Sequence, residues 1–353
     1  MSEPDPSDGV AEAERRIGGR FRPAWWLPGP HLQSMYDRLI RRGPRVELRR
    51  ETWETPDDDV LEIDRLDGPP GSPLLLGLHG LEGCSGSLYM QGMMHRARGL
   101  GWRGAVLNFR SCAPDPGGAR GQWRMNRARR MYHSGETEDL DRVVRRLGAE
   151  DPAAPIVAVG VSLGGNVLLK WLGEQGPDAV ERVEAAVAMS APFDLAACAE
   201  ALESGMGYVY MHAFLTTLRQ KALEFERRYP GSVDVEGVRS ARTFRQIDDA
   251  ATAPIHGFAD AADYYARASS LPYLERIAVP TLLLNACDDP FQPVEALERA
   301  REAASPPVTC RFTEKGGHVG WMTGPPWSPV AWGEATAIDW LADRLKERTG
   351  PSR

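Results

Sequence analysis

The sequence predicts an α/β fold: a mostly parallel sheet with helices on both faces and a helical segment inserted late in the chain. After about residue 70, apolar runs bounded by Gly, Pro or Asp alternate with helix-forming stretches, which is the rhythm of strand-helix-strand units. The runs span about four to eight residues without polar alternation, so they fit strands buried on both faces better than amphipathic ones. With 353 residues, 42% of them apolar and 26% charged, the chain can bury a sizeable core. A net charge of -7 argues against a surface that coats nucleic acid.

Taken in order, residues 1–19 form an acidic, Pro-containing tail without apolar periodicity. In residues 20–39, Phe21, Trp25, Trp26 and Leu27 interleave with Pro and are expected to fix an extended arm on the body. Runs over 46–55 and 60–66 flank Pro56 and three Asp residues, the pattern of a hairpin. Six further strands read as PLLLGLHG, GAVLNFR, PIVAVGVS, VEAAVAMSAP, PTLLLNACDD and VTCRFTEKGGH. Helices are expected to start near Ser87, Gly135, Leu163, Pro293 and Pro329. Residues 194–274 break the alternation with stretches such as FLTTLRQKALEFERRY and no core strand, and are expected to form a helical cap. The core then comprises 20–193 and 275–348, with a short tail at 349–353.

The strand PIVAVGVS runs straight into LGGNVLLKWL, giving Gly160-Val161-Ser162-Leu163-Gly164. A serine between a strand and a helix, with Gly two positions either side, has the form of a nucleophile elbow. The pentapeptide is common by chance, and its context gives it weight. A serine hydroxyl needs a base, and the base needs an acid to hold its tautomer. His318 follows the last strand in EKGGHVGW, and NACDDPF supplies an acid after the strand TLLL. The order Ser, Asp, His is that of the hydrolase triad. Asp289, immediately before Pro290, is the better match and Asp288 the runner-up. His133 is the rival base, but it precedes the serine. The N–H groups of Leu163 and of Leu81, in His79-Gly80-Leu81-Glu82-Gly83, are the candidate oxyanion donors.

With HGLEG, NFRSC, YHSGETED, GVSLGGN, YYARASS and NACDDPF in one order, the chain resembles the YheT-like α/β-hydrolases. That family includes the ABHD1/2/3-type esterases and yeast medium-chain ester synthases. The resemblance covers about residues 21–345 and implies an eight-stranded α/β-hydrolase sheet, a triad of Ser162, Asp289 and His318, and carboxylester substrates with no cofactor. It also implies that His31, Leu32 and Gln33 and residues 132–136 belong to a shared shell. The chain departs at Ser111, where the family usually has Gly.

The function expected is a serine carboxylesterase or lipase-like hydrolase of short- to medium-chain acyl esters. Acyl transfer to an alcohol on the same triad, or a non-catalytic binding role, are the alternatives. A metal-dependent hydrolase built on His79, Asp288 and Asp289 is weaker, because no H-E-x-x-H or paired His spacing occurs. Five cysteines without C-x-x-C spacing, no apolar leader and no long apolar run point to a cytoplasmic protein without an integral membrane segment. Arg120, Arg124, Arg127, Arg129 and Arg130 read as a solvated, salt-bridged loop, with peripheral contact to an anionic lipid as the sharper alternative. Met206, Tyr208, Tyr210, Met211, Phe214 and Leu215 read first as packing and second as an acyl pocket.

Overall fold

A computed structural model describes residues 20–115 and 123–349, so the acidic tail, Arg120 and the last four residues lie outside the described residues. The arm is extended only over its first part. Phe21 and Leu27 are buried but Trp25 is 75% exposed, and from Pro30 the chain turns into helix α1 (Pro30–Leu39). Pro at the first helical position suits this, because its fixed φ is helical and its missing N–H would have no intrahelical partner.

Strands β1 (Arg49–Glu54) and β2 (Val60–Leu66) form the expected antiparallel hairpin. There follow β3 (Leu74–Leu78), α2 (Leu88–Gly99), β4 (Arg103–Asn108), α3 (Glu138–Glu150), β5 (Ile156–Val161), α4 (Leu163–Gln175) and β6 (Ala185–Met189). The next segment is helical throughout. It holds α5 (Leu195–Ala201), α6 (Gly207–Arg228), α7 (Val235–Ser240), α8 (Phe244–Ile247), a π turn at Asp248–Thr252, α9 (Ala253–His256) and α10 (Ala261–Ala268). The chain closes with β7 (Thr281–Ala286), α11 (Val294–Ala303), β8 (Val308–Thr313) and α12 (Trp332–Thr349). A small hairpin, β9 (Met322–Thr323) with β10 (Val330–Ala331), delays the last helix past Pro329.

The eight-stranded sheet has the order β1-β2-β4-β3-β5-β6-β7-β8. Strands β3 to β8 run parallel, and β2 meets β4 antiparallel. Alternate side chains feed two cores. Leu76 and Leu78 join Val143, Leu147, Leu168, Leu172 and Leu297 on one face, while Leu75, Val157 and Val159 join Met90, Met94, Ile338 and Leu341 on the other. Each such side chain stabilises the fold by about 1.5–3 kcal/mol through burial. This double burial explains the uninterrupted apolar strands, and it leaves the carboxyl ends of β3, β5, β7 and β8 to carry chemistry.

The hairpin turn is more than a turn. Asp57 and Asp59 accept hydrogen bonds from Arg110, which also reaches Asp139 in α3. The Arg110 side chain is fully buried, so these carboxylates neutralise a charge that could not otherwise sit there. Ser111 next to it has φ 62, and its hydroxyl binds the Asn126 side chain and accepts the Asn126 N–H. A left-handed backbone suits the family's glycine, and the serine holds it through those bonds.

Candidate active site

The strand-to-helix junction after β5 places Ser162 at φ 52 and ψ -122, a conformation that costs a non-glycine residue on the order of 1–3 kcal/mol. Its surroundings impose it. Ser162 donates its N–H to Met189 O at 2.8 Å, and its carbonyl accepts from Gly165 and Asn166. A Cβ on Gly160 would lie 2.3 Å from Gly164 O, and one on Gly164 would lie 2.5 Å from the carbonyl oxygens of both Leu78 and His79. Only glycine lets strand and helix backbones come this close. The same packing brings the turn at 79–83 against the serine, since a Cβ on Gly80 would be 3.2 Å from Ser162 Cβ.

His318 stands across from the serine, its Nε2 3.0 Å from Ser162 Oγ. Its Nδ1 is 2.8 Å from Asp289 Oδ2, and the Asp289 side chain is fully buried. Nδ1–H donating to Asp289 leaves Nε2 as acceptor for the serine hydroxyl. Asp289 Oδ1 also accepts the Phe291 N–H, and the Phe291 ring stacks on the imidazole at 4.0 Å. Asp288 points elsewhere, accepting the Gly317 N–H at 2.8 Å. One acid therefore faces the imidazole while its neighbour anchors the loop that carries it.

That loop rests on α1, a role the sequence did not disclose. Ser34 Oγ accepts the His318 N–H at 2.8 Å. Gln33 receives the Met322 N–H and donates to the carbonyls of Leu27 and Met322. His31 Nδ1 lies 3.1 Å from Tyr210 OH of α6. The family's early polar arm thus braces the histidine loop from outside the sheet. The other shared stretches meet likewise: Tyr264 OH accepts the Ser134 N–H, and the buried Asn166 amide donates to the carbonyls of Ser134 and Ala268.

In the turn at 80–83, Gly80 and Glu82 donate their N–H groups to Tyr89 OH and Tyr132 OH, and Gly83 donates to Gly80 O. Leu81 N–H makes no hydrogen bond among the described residues, and Leu163 N–H, at the start of α4, has no intrahelical acceptor. A cavity of about 160 Å³ opens beside Ser162 and His318, bounded by Leu81, Leu163, Leu195, Phe214, Ala222 and Ile255. A groove of about 620 Å³ reaches the same two residues past Leu39, Tyr89 and Val209.

In the helical segment between β6 and β7, Phe214 lines the cavity and Tyr210 the groove. Met211 and Leu215 pack inside the segment, and Met206 and Tyr208 are exposed. His133 lies on the cavity wall, where burial pushes it down to about 3 and Gly135 N–H occupies its Nδ1. His79 spends both ring nitrogens, on Gly80 O and on the Phe109 N–H, so no lone pair remains for a metal. Arg124, Arg127 and Arg130 pair with Glu62, Glu54 and Glu138, as a salt-bridged loop would. No helix of the described residues is long and apolar enough to cross a membrane.

An eight-stranded, mostly parallel sheet with a serine elbow and an Asp-held histidine on its strand ends defines a hydrolase architecture. The chain belongs to the alpha/beta hydrolase fold family, whose model matches residues 73–325, and within it to the YheT-like, ABHD-type group. It is 40% identical to YheT of Escherichia coli (strain K12), named as an esterase, over 93% of this chain and 95% of that protein. It is 31% identical to human phospholipase ABHD3, over 86% of this chain and 74% of the relative. These relatives make it a hydrolase of the esterase/lipase type. Among solved structures, the Pyrococcus furiosus esterase Pf2001 superposes with a TM-score of 0.53 at 17% identity, over 88% of this chain and 99% of that one, a likeness of fold.

Proposed function

We propose that the protein hydrolyses carboxylic esters of short- to medium-chain acids through an acyl-serine intermediate. In the proposed reaction, His318 Nε2 takes the proton of Ser162 Oγ as that oxygen attacks the ester carbonyl. Asp289 holds the imidazole in register and stabilises the imidazolium. The N–H groups of Leu81 and Leu163 receive the negative oxygen of the tetrahedral intermediate, and His318 returns its proton to the departing alkoxide. Water, deprotonated by His318, then attacks the acyl-serine and releases the acid.

The observation that carries this reading is the chain of hydrogen bonds from Ser162 through His318 to Asp289 at the mouth of an apolar cavity. The cavity suits an acyl chain, and the groove leaves room for the alcohol side of the ester. Names among the relatives, an esterase, a phospholipase and a monoacylglycerol lipase, point to the same substrate class.

The test is turnover of a p-nitrophenyl ester series from acetate to palmitate by wild type and Ser162→Ala. The expected result is turnover that rises and then falls with chain length and is lost in the variant. Equal turnover by a folded Ser162→Ala protein would overturn the mechanism.

A further inference from the structure

Among the buried charges of the inserted segment, one reaches across to the turn beside the nucleophile. Lys221, in the middle of α6, is 1% exposed. Its ammonium donates to Glu82 Oε1 at 2.8 Å and lies 3.4 Å from Cys112 Sγ. The rings of Trp123 and Tyr132 flank it at 5.1 and 5.4 Å. Burial pulls the ammonium down, but Cys112 and Glu82 beside it outweigh this and hold it above its ordinary value. A lysine stays charged in such a place only because its partners are fixed.

Tyr132 completes the arrangement by gripping one residue twice. Its hydroxyl donates to Glu82 Oε1 at 2.6 Å and accepts the Glu82 N–H at 3.1 Å. The Tyr132 ring is itself stacked on Phe109 at 5.7 Å and 9°, and Phe109 N–H is held by His79. Glu82 sits at φ 55, a strained conformation for a glutamate. The peptide N–H immediately before it is that of Leu81, the member of the 80–83 turn without a hydrogen-bond partner among the described residues. Leu81 lines both cavity and groove beside Ser162.

We propose that Glu82, Lys221 and Tyr132 are positioning residues that clamp the turn at 80–83 so that the Leu81 N–H points at the oxyanion, and that α6 thereby sets the geometry of that donor. This inference rests on the proposed hydrolase function. The clamp acts through the turn: Tyr132 borders the cavity and Glu82 the groove, but the hydrogen bonds they make run to each other, to Lys221 and to the backbone of the turn, and none goes to the triad. Loosening it lowers kcat and leaves KM nearly unchanged, because the oxyanion forms only after binding.

The experiment compares wild type with Tyr132→Phe, Lys221→Met and the double variant Glu82→Met with Lys221→Met. The single lysine change strands a buried carboxylate and threatens folding, whereas the double change removes both charges and leaves none unpaired. Each folded protein is assayed for kcat and KM on p-nitrophenyl butyrate and for inhibition by an alkyl trifluoromethyl ketone, whose hemiketal oxygen occupies the donor site. The expected result for the double variant is a kcat lowered about ten- to a hundred-fold, less than the 10²–10³ lost when a donor is deleted. KM stays within about two-fold, and ketone affinity falls in step with kcat/KM. Tyr132→Phe shows a smaller loss of the same form. A folded double variant with wild-type kcat and ketone affinity would overturn the inference, as would a raised KM at unchanged kcat, which is the mark of a pocket wall. Wild-type turnover that survives Ser162→Ala would sink the hydrolase reading and the clamp with it.

Discussion

The elbow at Ser162 and the helical segment between β6 and β7 face each other across one cavity, yet they are held in opposite ways. At the elbow the contacts are backbone to backbone, with Gly160 against Gly164 and Gly164 against Leu78 and His79. The segment is tied down by side chains reaching far along the sequence: Lys221 to Glu82, Tyr264 to Ser134, Tyr210 to His31. Backbone contact leaves no freedom, so changes at the elbow act all or none. Side-chain ties can be cut one at a time, so changes in the segment are graded. On the proposed reading, chemistry is assigned to the rigid half and substrate choice and fine alignment to the adjustable half.

The largest effect is expected at the elbow itself. Gly164→Val forces methyl groups into the carbonyls of Leu78 and His79, and differential scanning calorimetry is expected to show loss of the cooperative transition or a strongly lowered Tm, with no esterase activity. A Gly164→Val protein of normal Tm and turnover would break the contrast between the two regions.

Next come the two adjacent acids. Asp289→Asn removes the group facing His318 Nδ1, and kcat is expected to fall by about 10⁴ with KM little changed. Asp288→Asn loosens only the Gly317 anchor, and a loss of about ten-fold or less is expected in the same assay. Reversal of the two would move the proposed acid to Asp288.

Changes in the adjustable half should sort substrates. Ala222 borders the cavity from α6, and Ala222→Phe is expected to cut kcat/KM on the longest p-nitrophenyl esters by about 10–200-fold while sparing acetate. A uniform loss across the series would place the acyl chain elsewhere.

The last prediction concerns acid. Burial drives His79 down to about 4, His133 to about 3 and His256 to about 2. Below their unfolded value of about 6.5 the unfolded chain takes up protons that the native one refuses. The stability they contribute is therefore whole above about pH 6.5 and drains as pH falls, for His79 by roughly 3 kcal/mol down to about pH 4. Asp248, pushed up to about 6 by burial, works the other way and offsets part of this. Urea midpoints measured from pH 7 to 4 are expected to decline, and His256→Phe is expected to flatten the slope.

The same contrast governs what the sequence discloses. Strands buried on both faces show as apolar runs, and the elbow shows because its glycines stand within four residues of the serine. Chain order and the Gly and Pro around them mark the proposed Asp and His. The brace of Ser34 and Gln33 under His318 spans more than 280 residues, and no local pattern encodes it. Nor does one encode Lys221. Its only signal was position: it adjoins the apolar positions Leu218, Ala222 and Phe225 of α6, where a surface helix carries no charge without a buried partner. Trp25 misled for the related reason that an aromatic residue beside prolines looks buried whether or not the body reaches it.

The central claim is that Ser162 is the nucleophile, and labelling addresses it without choosing a substrate. The protein is treated with an alkyl fluorophosphonate, digested and mapped by mass spectrometry, with Ser162→Ala and His318→Ala alongside. The account predicts a single adduct on the peptide carrying Ser162, formed much more slowly in His318→Ala and absent from Ser162→Ala. A folded wild-type protein that takes no label, or takes it on another residue, would contradict it.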